Sequence, residues 1–289
     1  MANGILIVDK PAGWTSQDVA AKLRGVYHER RVGHGGTLDP MATGVLPVFL
    51  GRATRAVEFF ESAEKEYLAV LRLGITTDTQ DTEGRILTEK PVTVTREDVQ
   101  AVLPRFTGNL QQIPPMYSAV KIGGKKLYEL ARQGKEIERR PREITVFELE
   151  LTGAEGTDYF LRVRCSKGTY IRTLCHDIGQ ALGCGGCMAS LRRTQAGIYT
   201  QAQAVPLAEI IASPAPESLL LPTDSLFSAY PAAVLDEKQE RLCRCGSTLP
   251  NWKRGGTLWR IYSRSGVFLM LGRAENGALR TEKNFFEVN

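Results

Sequence analysis

The sequence predicts an α+β protein with one large mixed unit followed by a small β-rich one. Two observations carry this. Strand-like and helix-like segments mix along the chain without a regular βαβ alternation, which favours α+β over a doubly wound sheet. A proline-rich stretch, residues 205–231, then separates the long first part from short apolar strands near the end. The 289 residues, 43% hydrophobic and 24% charged, have an ordinary globular balance. No apolar run approaches the roughly 18 residues that a membrane span needs. MANGILIVDKPAGW has no basic segment followed by an apolar one, so no secretory leader is expected and a cytoplasmic protein is the default.

The elements follow in order. Ile5-Leu6-Ile7-Val8 reads as a buried strand, and Lys10-Pro11-Ala12-Gly13 as a turn. Ser16 is a good N-cap for a helix over 16–27, with Val19, Leu23, Val26 and Tyr27 at helical spacing. A glycine-rich loop precedes an apolar strand over 45–50. Ala53, Ala56, Val57 and Phe60 share a helical face, and 66–73 reads as a strand ending at Gly74. Thr95-x-x-Asp98 resembles a capping box for a helix that Pro104 ends. Leu161, Val163 and Cys165 alternate with Arg162 and Arg164, as in a half-exposed strand. Ile171, Leu174, Ile178, Ala181 and Leu182 form an amphipathic helix stopped by Gly183. Residues 205–231 read as an extended connection. Strands over 258–261 and 267–271, split by Ser263-Arg264-Ser265-Gly266, fit a small β-barrel-like unit.

Charge is unevenly spread. The chain is +5 overall. Residues 121–142 hold eight basic side chains against three acidic ones, a local +5. Residues 230–289 hold ten against six, a local +4. Two basic regions on a neutral body suit a polyanion such as nucleic acid, or else a solvated charged face. Six cysteines in a chain this long do not suggest a disulfide scaffold. Cys184-Gly185-Gly186-Cys187 has metal-ligand spacing that Cys243 and Cys245 would complete; the alternative is a glycine-rich turn after a helix. Asp78-Thr79-Gln80-Asp81 lacks the glycine and terminal glutamate of a calcium loop and reads as a structural turn.

One loop stands out: Val32-Gly33-His34-Gly35-Gly36-Thr37-Leu38-Asp39-Pro40-Met41-Ala42-Thr43-Gly44. Pro40 pushes Asp39 out of the α region, and the glycines let backbone approach a ligand closely. The loop thus holds one carboxylate in a rigid, approachable place. It lacks the Gly-Lys-Ser/Thr ending of a phosphate-binding P-loop.

This segment closely resembles the catalytic motif of the TruB family of tRNA pseudouridine synthases. The resemblance extends to Asp9-Lys10-Pro11-x-Gly13-x-Thr15-Ser16, to Lys65-Glu66-Tyr67, and to Gly74-x-x-Thr77-Asp78-Thr79-x-Asp81-x-x-Gly84. It continues through Pro114-Pro115-Met116-Tyr117-Ser118-Ala119-Val120-Lys121, Gly168-Thr169-Tyr170-Ile171-Arg172 and Leu191-Arg192-Arg193. Order and spacing agree from residue 5 to about 289. Many members carry Thr where this chain has Gly35, and glycine there is expected to loosen the loop beside His34.

The resemblance implies a pseudouridine-synthase-type mixed, mainly antiparallel sheet with flanking helices. It implies a catalytic domain over 1–229, with a mobile basic RNA-binding insertion at about 121–142, and a PUA-like domain over 230–289. The implied reaction isomerises uridine 55 in the T loop of tRNA to pseudouridine, by breaking the C1′–N1 bond and joining C1′ to C5. Nothing is gained, lost or oxidised, so the chemistry requires no cofactor and no metal. Asp39 is the implied nucleophile, Arg172 its counter-charge, and Tyr67 the residue that stacks on the base and transfers a proton at C5. Tyr170 and Leu191 would line the uracil pocket, with Lys10 and Lys121 also facing substrate. His34 would replace the flipped-out base in its stack. The C-terminal unit would grip a more distant part of the tRNA, on the acceptor side. No obligate protein partner is implied. A non-catalytic tRNA-folding protein of the same fold is the alternative, but it would be marked by loss of Asp39, Tyr67 or Arg172.

Overall fold

The computed structural model describes residues 2–286. Its centre is a ten-stranded mixed sheet. The strands are β1 (Gly4–Lys10), β2 (Val32–His34), β3 (Thr43–Leu50), β4 (Lys65–Leu73), β5 (Gly108–Gln112), β6 (Arg142–Glu155), β7 (Asp158–Cys165), β8 (Gly186–Ala196), β9 (Tyr199–Thr200) and β10 (Val205–Pro206). They lie in the order β10-β1-β3-β8-β4-β7-β6-β5, with β2 on β3 and β9 on β8. Only β1–β10 and β8–β3 are parallel. The sheet is therefore mainly antiparallel, as expected.

Both faces of its centre are covered. Leu6 and Val8 enter one apolar cluster and Ile5 and Ile7 the other, so the unbroken apolar run of β1 is that of a strand buried on both sides. Helices α1 (Ser16–Val26), α3 (Arg96–Val102) and α5 (Ile171–Ala181) contribute to the first cluster. Residues 51–60 turn as a 3-10 segment into the short helix α2 (Val57–Phe60), which packs in the second. Helix α4 (Leu127–Ala131) follows a two-stranded hairpin, Lys121–Ile122 with Lys125–Lys126, inside the basic stretch.

Three expectations change. Thr15, not Ser16, caps α1, because its hydroxyl accepts from the Asp18 amide while Asp18 reaches back to the Thr15 amide; the helix ends at Val26, with Tyr27 as its C-cap. Residues 205–231 are not an extended connection. They form β10, helix α6 (Leu207–Ala212) and two 3-10 turns, and Leu221 bridges Ile5 by two backbone hydrogen bonds of 2.8 Å. The prolines break the segment into short pieces, but each piece is packed.

The C-terminal unit is an open four-stranded sheet rather than a barrel. Its strands are β11 (Ala232–Val234), β12 (Leu258–Tyr262), β13 (Phe268–Glu275) and β14 (Ala278–Asn284), in sequence order, with helix α7 (Glu237–Arg244). The unit is docked on the first through aromatic packing: Phe227 meets Phe59 at 5.4 Å and Phe285 at 5.8 Å between ring centres. Arg55 with Asn284 and Lys283 with Glu58 add polar contacts across the junction. Among the described residues no helix is long and apolar enough to cross a membrane.

Candidate active site

Asp39 lies in the loop between β2 and β3, and the N-terminal motif clamps that loop. Gly13 N–H donates to the Pro40 carbonyl at 2.9 Å. Ser16 Oγ accepts from the Leu38 amide at 2.8 Å. The Lys10 ammonium is fully buried and donates to the carbonyls of Pro11 (2.8 Å), Trp14 (2.6 Å) and Pro40 (3.2 Å). An ammonium has three protons to give, and all three are used. Lys10 therefore braces the loop through its three carbonyl partners. Burial pushes its pKa down to about 8, against the pull of the Asp39 charge.

Arg172 approaches Asp39 from the first turn of α5. Its Nη2 donates to Oδ1 at 3.2 Å, and its Nε lies at ion-pair distance, 2.9 Å, from Oδ2 without hydrogen-bond geometry. Arg172 also donates to the carbonyls of Thr79 (3.1 Å) and Tyr117 (2.9 Å). The start of α5 is itself held, because the Gln112 amide brackets Tyr170: it accepts from the Tyr170 N–H at 2.8 Å and donates to its carbonyl at 3.0 Å. Arg172 is 5% exposed, whereas Asp39 keeps an open side, 35% exposed, within an otherwise dense recess. Burial pushes the Asp39 carboxyl above the usual carboxylate range; Arg172 opposes that, and Asp81 adds to it.

Tyr67 of β4 and Leu191 of β8 are both buried. They sit on facing strands, with Tyr67 opposite Arg193 and Leu191 opposite Ala69, and both belong to the apolar cluster that holds Leu38 and Ala42. Burial raises the pKa of the Tyr67 hydroxyl, and Arg193 works the other way. Tyr170, half-buried, caps α5 beside Arg172. His34, at the end of β2, is half-buried and held toward its neutral form by burial and by Arg193. Lys121 stands apart on the exposed hairpin of the basic stretch.

Sequence reasoning did not single out two residues of the site. Asp81, 6% exposed, has Oδ2 3.6 Å from Arg172 Nη1, so the guanidinium lies between two carboxylates. The turn 78–81 is structural, as expected, but it also serves the site through Thr79 and Asp81. The other residue is Arg193, taken up below. The signal for both was their place inside matched motifs. Cys184 and Cys187 are buried around the turn from α5 into β8, and no group of three or more metal-ligating side chains occurs among the described residues.

The arrangement is a recessed carboxylate oriented by a guanidinium, beside a tyrosine ring and an aliphatic wall. It can present a nucleophile to a flat ring held against Tyr67. The TruB family pseudouridylate synthase model for the N-terminal domain matches residues 24–171, and the tRNA pseudouridylate synthase B C-terminal model matches 172–228. The chain belongs to the TruB family of pseudouridylate synthases. It is thus an RNA-isomerising enzyme of that class. It is 44% identical to "tRNA pseudouridine synthase B" of Azoarcus sp. (strain BH72), over 98% of this chain and 95% of that one. It is 43% identical to the protein of the same name in Pseudomonas fluorescens (strain Pf0-1), over 96% and 93%. Among solved structures, it resembles a chain of an H/ACA RNP bound to a substrate RNA containing 2′-deoxyuridine, with TM-score 0.75, 25% identity and coverage of 100% and 86%. It also resembles a chain of a Cbf5-Nop10-Gar1 complex, with TM-score 0.74, 28% identity and coverage of 99% and 86%.

Gly35 does not loosen the loop. A Cβ there would stand 2.4 Å from Cδ1 of Phe60 and 3.2 Å from Phe49, and the Gly35 amide donates to the Pro47 carbonyl at 2.8 Å. The Phe60 ring occupies the space that a larger residue 35 would need, and a Cβ on Gly197 would also stand 2.8 Å from that ring. Gly35→Thr should therefore destabilise the protein by about 1–3 kcal/mol through overpacking. In a Phe60→Leu background this destabilisation should shrink by more than about 0.5 kcal/mol. Urea denaturation of the four proteins measures this; equal destabilisation in both backgrounds would mean that Phe60 does not set the limit.

Proposed function

We propose that this chain converts uridine 55 in the T loop of tRNA to pseudouridine, with Asp39 as nucleophile. The observation that carries the reading is the partly exposed Asp39 carboxylate paired with the buried Arg172 guanidinium. The names of the relatives, all tRNA pseudouridine synthase B, support tRNA as the RNA. Asp39 holds the intermediate while the uracil turns, and Arg172 keeps the carboxylate ionised and aimed. Tyr67 stacks on the base and accepts the proton that C5 must lose. Tyr170 and Leu191 wall the base. A T-loop uridine is stacked within its loop, so it must be flipped out to reach a recess this deep, and His34 takes its place in the stack.

RNA is held in two places. The basic insertion, residues 121–142, contributes phosphate contacts that position the T arm, Lys121 among them. The C-terminal unit, residues 230–289, acts as a PUA-like domain toward the acceptor stem. Its docking on the catalytic domain through Phe227 and Phe285 gives the two RNA-binding regions a fixed spacing.

The test uses an unmodified T-arm stem-loop, incubated with the protein without metal or nucleotide and assayed for pseudouridine. The protein should convert position 55. Asp39→Asn should bind the RNA with similar affinity and lose at least about a thousandfold in rate. Turnover by Asp39→Asn would remove Asp39 from the mechanism, and failure of the wild-type protein on this RNA would overturn the assignment of substrate. A second measurement concerns the insertion. Affinity for tRNA should fall with salt, and Lys121→Ala with Lys125→Ala should flatten the log–log slope by about 0.7–0.9 for each phosphate that is no longer neutralised. An unchanged slope would mean that these lysines are only solvated.

A further inference from the structure

Arg193 is among the largest fully buried side chains of the protein, 1% exposed. Its Nε donates to the Val45 carbonyl at 2.7 Å and its Nη2 to the Gly36 carbonyl at 3.1 Å. Both partners flank the Asp39 loop, one on each side. Its backbone lies between Gly44 of β3 and Tyr67 of β4. Gly44, at φ +100°, is required there, because a Cβ would stand 2.2 Å from the Arg193 carbonyl oxygen. Arg193 and Tyr67 are directly opposite each other on β8 and β4, so their side chains share one face of the sheet.

The charges around Arg193 make its position expensive. Its hydrogen bonds to the loop go to carbonyls, not to a carboxylate. Burial foremost, with the charge of Arg193 adding to it, pushes Lys10 of β1 and Lys65 of β4 down to about 8, and the same two causes lower the pKa of His34 of β2. Lys65 is itself buried, with its ammonium donating to the Ala63 carbonyl at 2.5 Å. The reactive carboxylate of the site, Asp39, is engaged by Arg172. A buried guanidinium whose hydrogen bonds among the described residues go to carbonyls is costly, and it most favours a neighbouring group that can become negative. Of the groups that its charge reaches, Tyr67 and Cys165 can do so, and Tyr67 is the one directly opposite it on the neighbouring strand.

We infer that Arg193 is a positioning residue for Tyr67: it holds the tyrosine hydroxyl in register with the Asp39 loop and stabilises its phenolate while that oxygen takes the C5 proton. This rests on the reading of Tyr67 as proton acceptor. The step balances. The resting phenol gives its proton to solvent, and the phenolate takes the proton from C5 after C1′ has joined that carbon. N1 receives a proton from solvent, so one proton has moved from C5 to N1 and Tyr67 is restored.

Arg193→Lys and Arg193→Met, each in the natural and in a Tyr67→Phe background, test the inference by rates on the T-arm stem-loop. With Tyr67 present, Arg193→Met should lower kcat by at least about tenfold, with KM within about twofold, and Arg193→Lys should recover part of the rate. With Phe at 67, the same replacements should cost less than about threefold more. Equal falls in rate in the two backgrounds, or an effect confined to KM, would overturn the role of Arg193. Full activity of Tyr67→Phe alone would instead overturn the reading of Tyr67. If Arg193→Met fails to fold, shown by its melting curve, Arg193→Lys in the two backgrounds decides between the same outcomes.

Discussion

The pairing of Arg172 with Asp39 is the contact on which the rest of the site depends. Through one guanidinium, four segments remote in sequence meet: the Asp39 loop, the turn at Thr79, the chain at Tyr117 and the helix that begins after Tyr170. A guanidinium suits this role because its donors form a rigid planar fork that serves a carboxylate and carbonyls together. The order of the chain around it follows from that need. Gln112 fixes the start of the helix, and Lys10, Gly13 and Ser16 fix the loop, so neither partner can move without breaking several hydrogen bonds.

Electrostatics then shape what the carboxylate can do. Burial and the neighbouring Asp81 make ionised Asp39 unfavourable, and Arg172 opposes them. Below the recess, Lys10, Lys65 and Arg193 place positive charge among carbonyl groups.

Much of this was legible in the sequence, for local reasons. Pro40 and the surrounding glycines marked Asp39 as a carboxylate held open, and the Gly-Thr-Tyr loop placed Arg172 in a helix's first turn. The strands β1, β3, β4 and β7 and helix α5 follow from their apolar patterns. What was not legible depends on packing between distant segments. The reach from Asp81 to Arg172, the burial of Lys10 and the closing of Phe60 over Gly35 have no local signature. Residues 205–231 looked like a linker because prolines break periodicity, although each short piece packs. The open C-terminal sheet was read as barrel-like because short strands alone do not say whether a sheet closes.

The central claim is that Arg172 keeps Asp39 ionised and reactive. The acid limb of kcat/KM against pH, measured on the T-arm stem-loop for the natural protein and for Arg172→Met, tests it most directly. On the proposal that Asp39 acts as its carboxylate, activity falls away as pH drops through the Asp39 pKa, which burial places above the usual carboxylate range. Without the guanidinium, that midpoint should rise by about 1–3 pH units, in a protein that still shows a cooperative melt and binds the RNA. An acid limb at the same pH in both proteins would contradict the account.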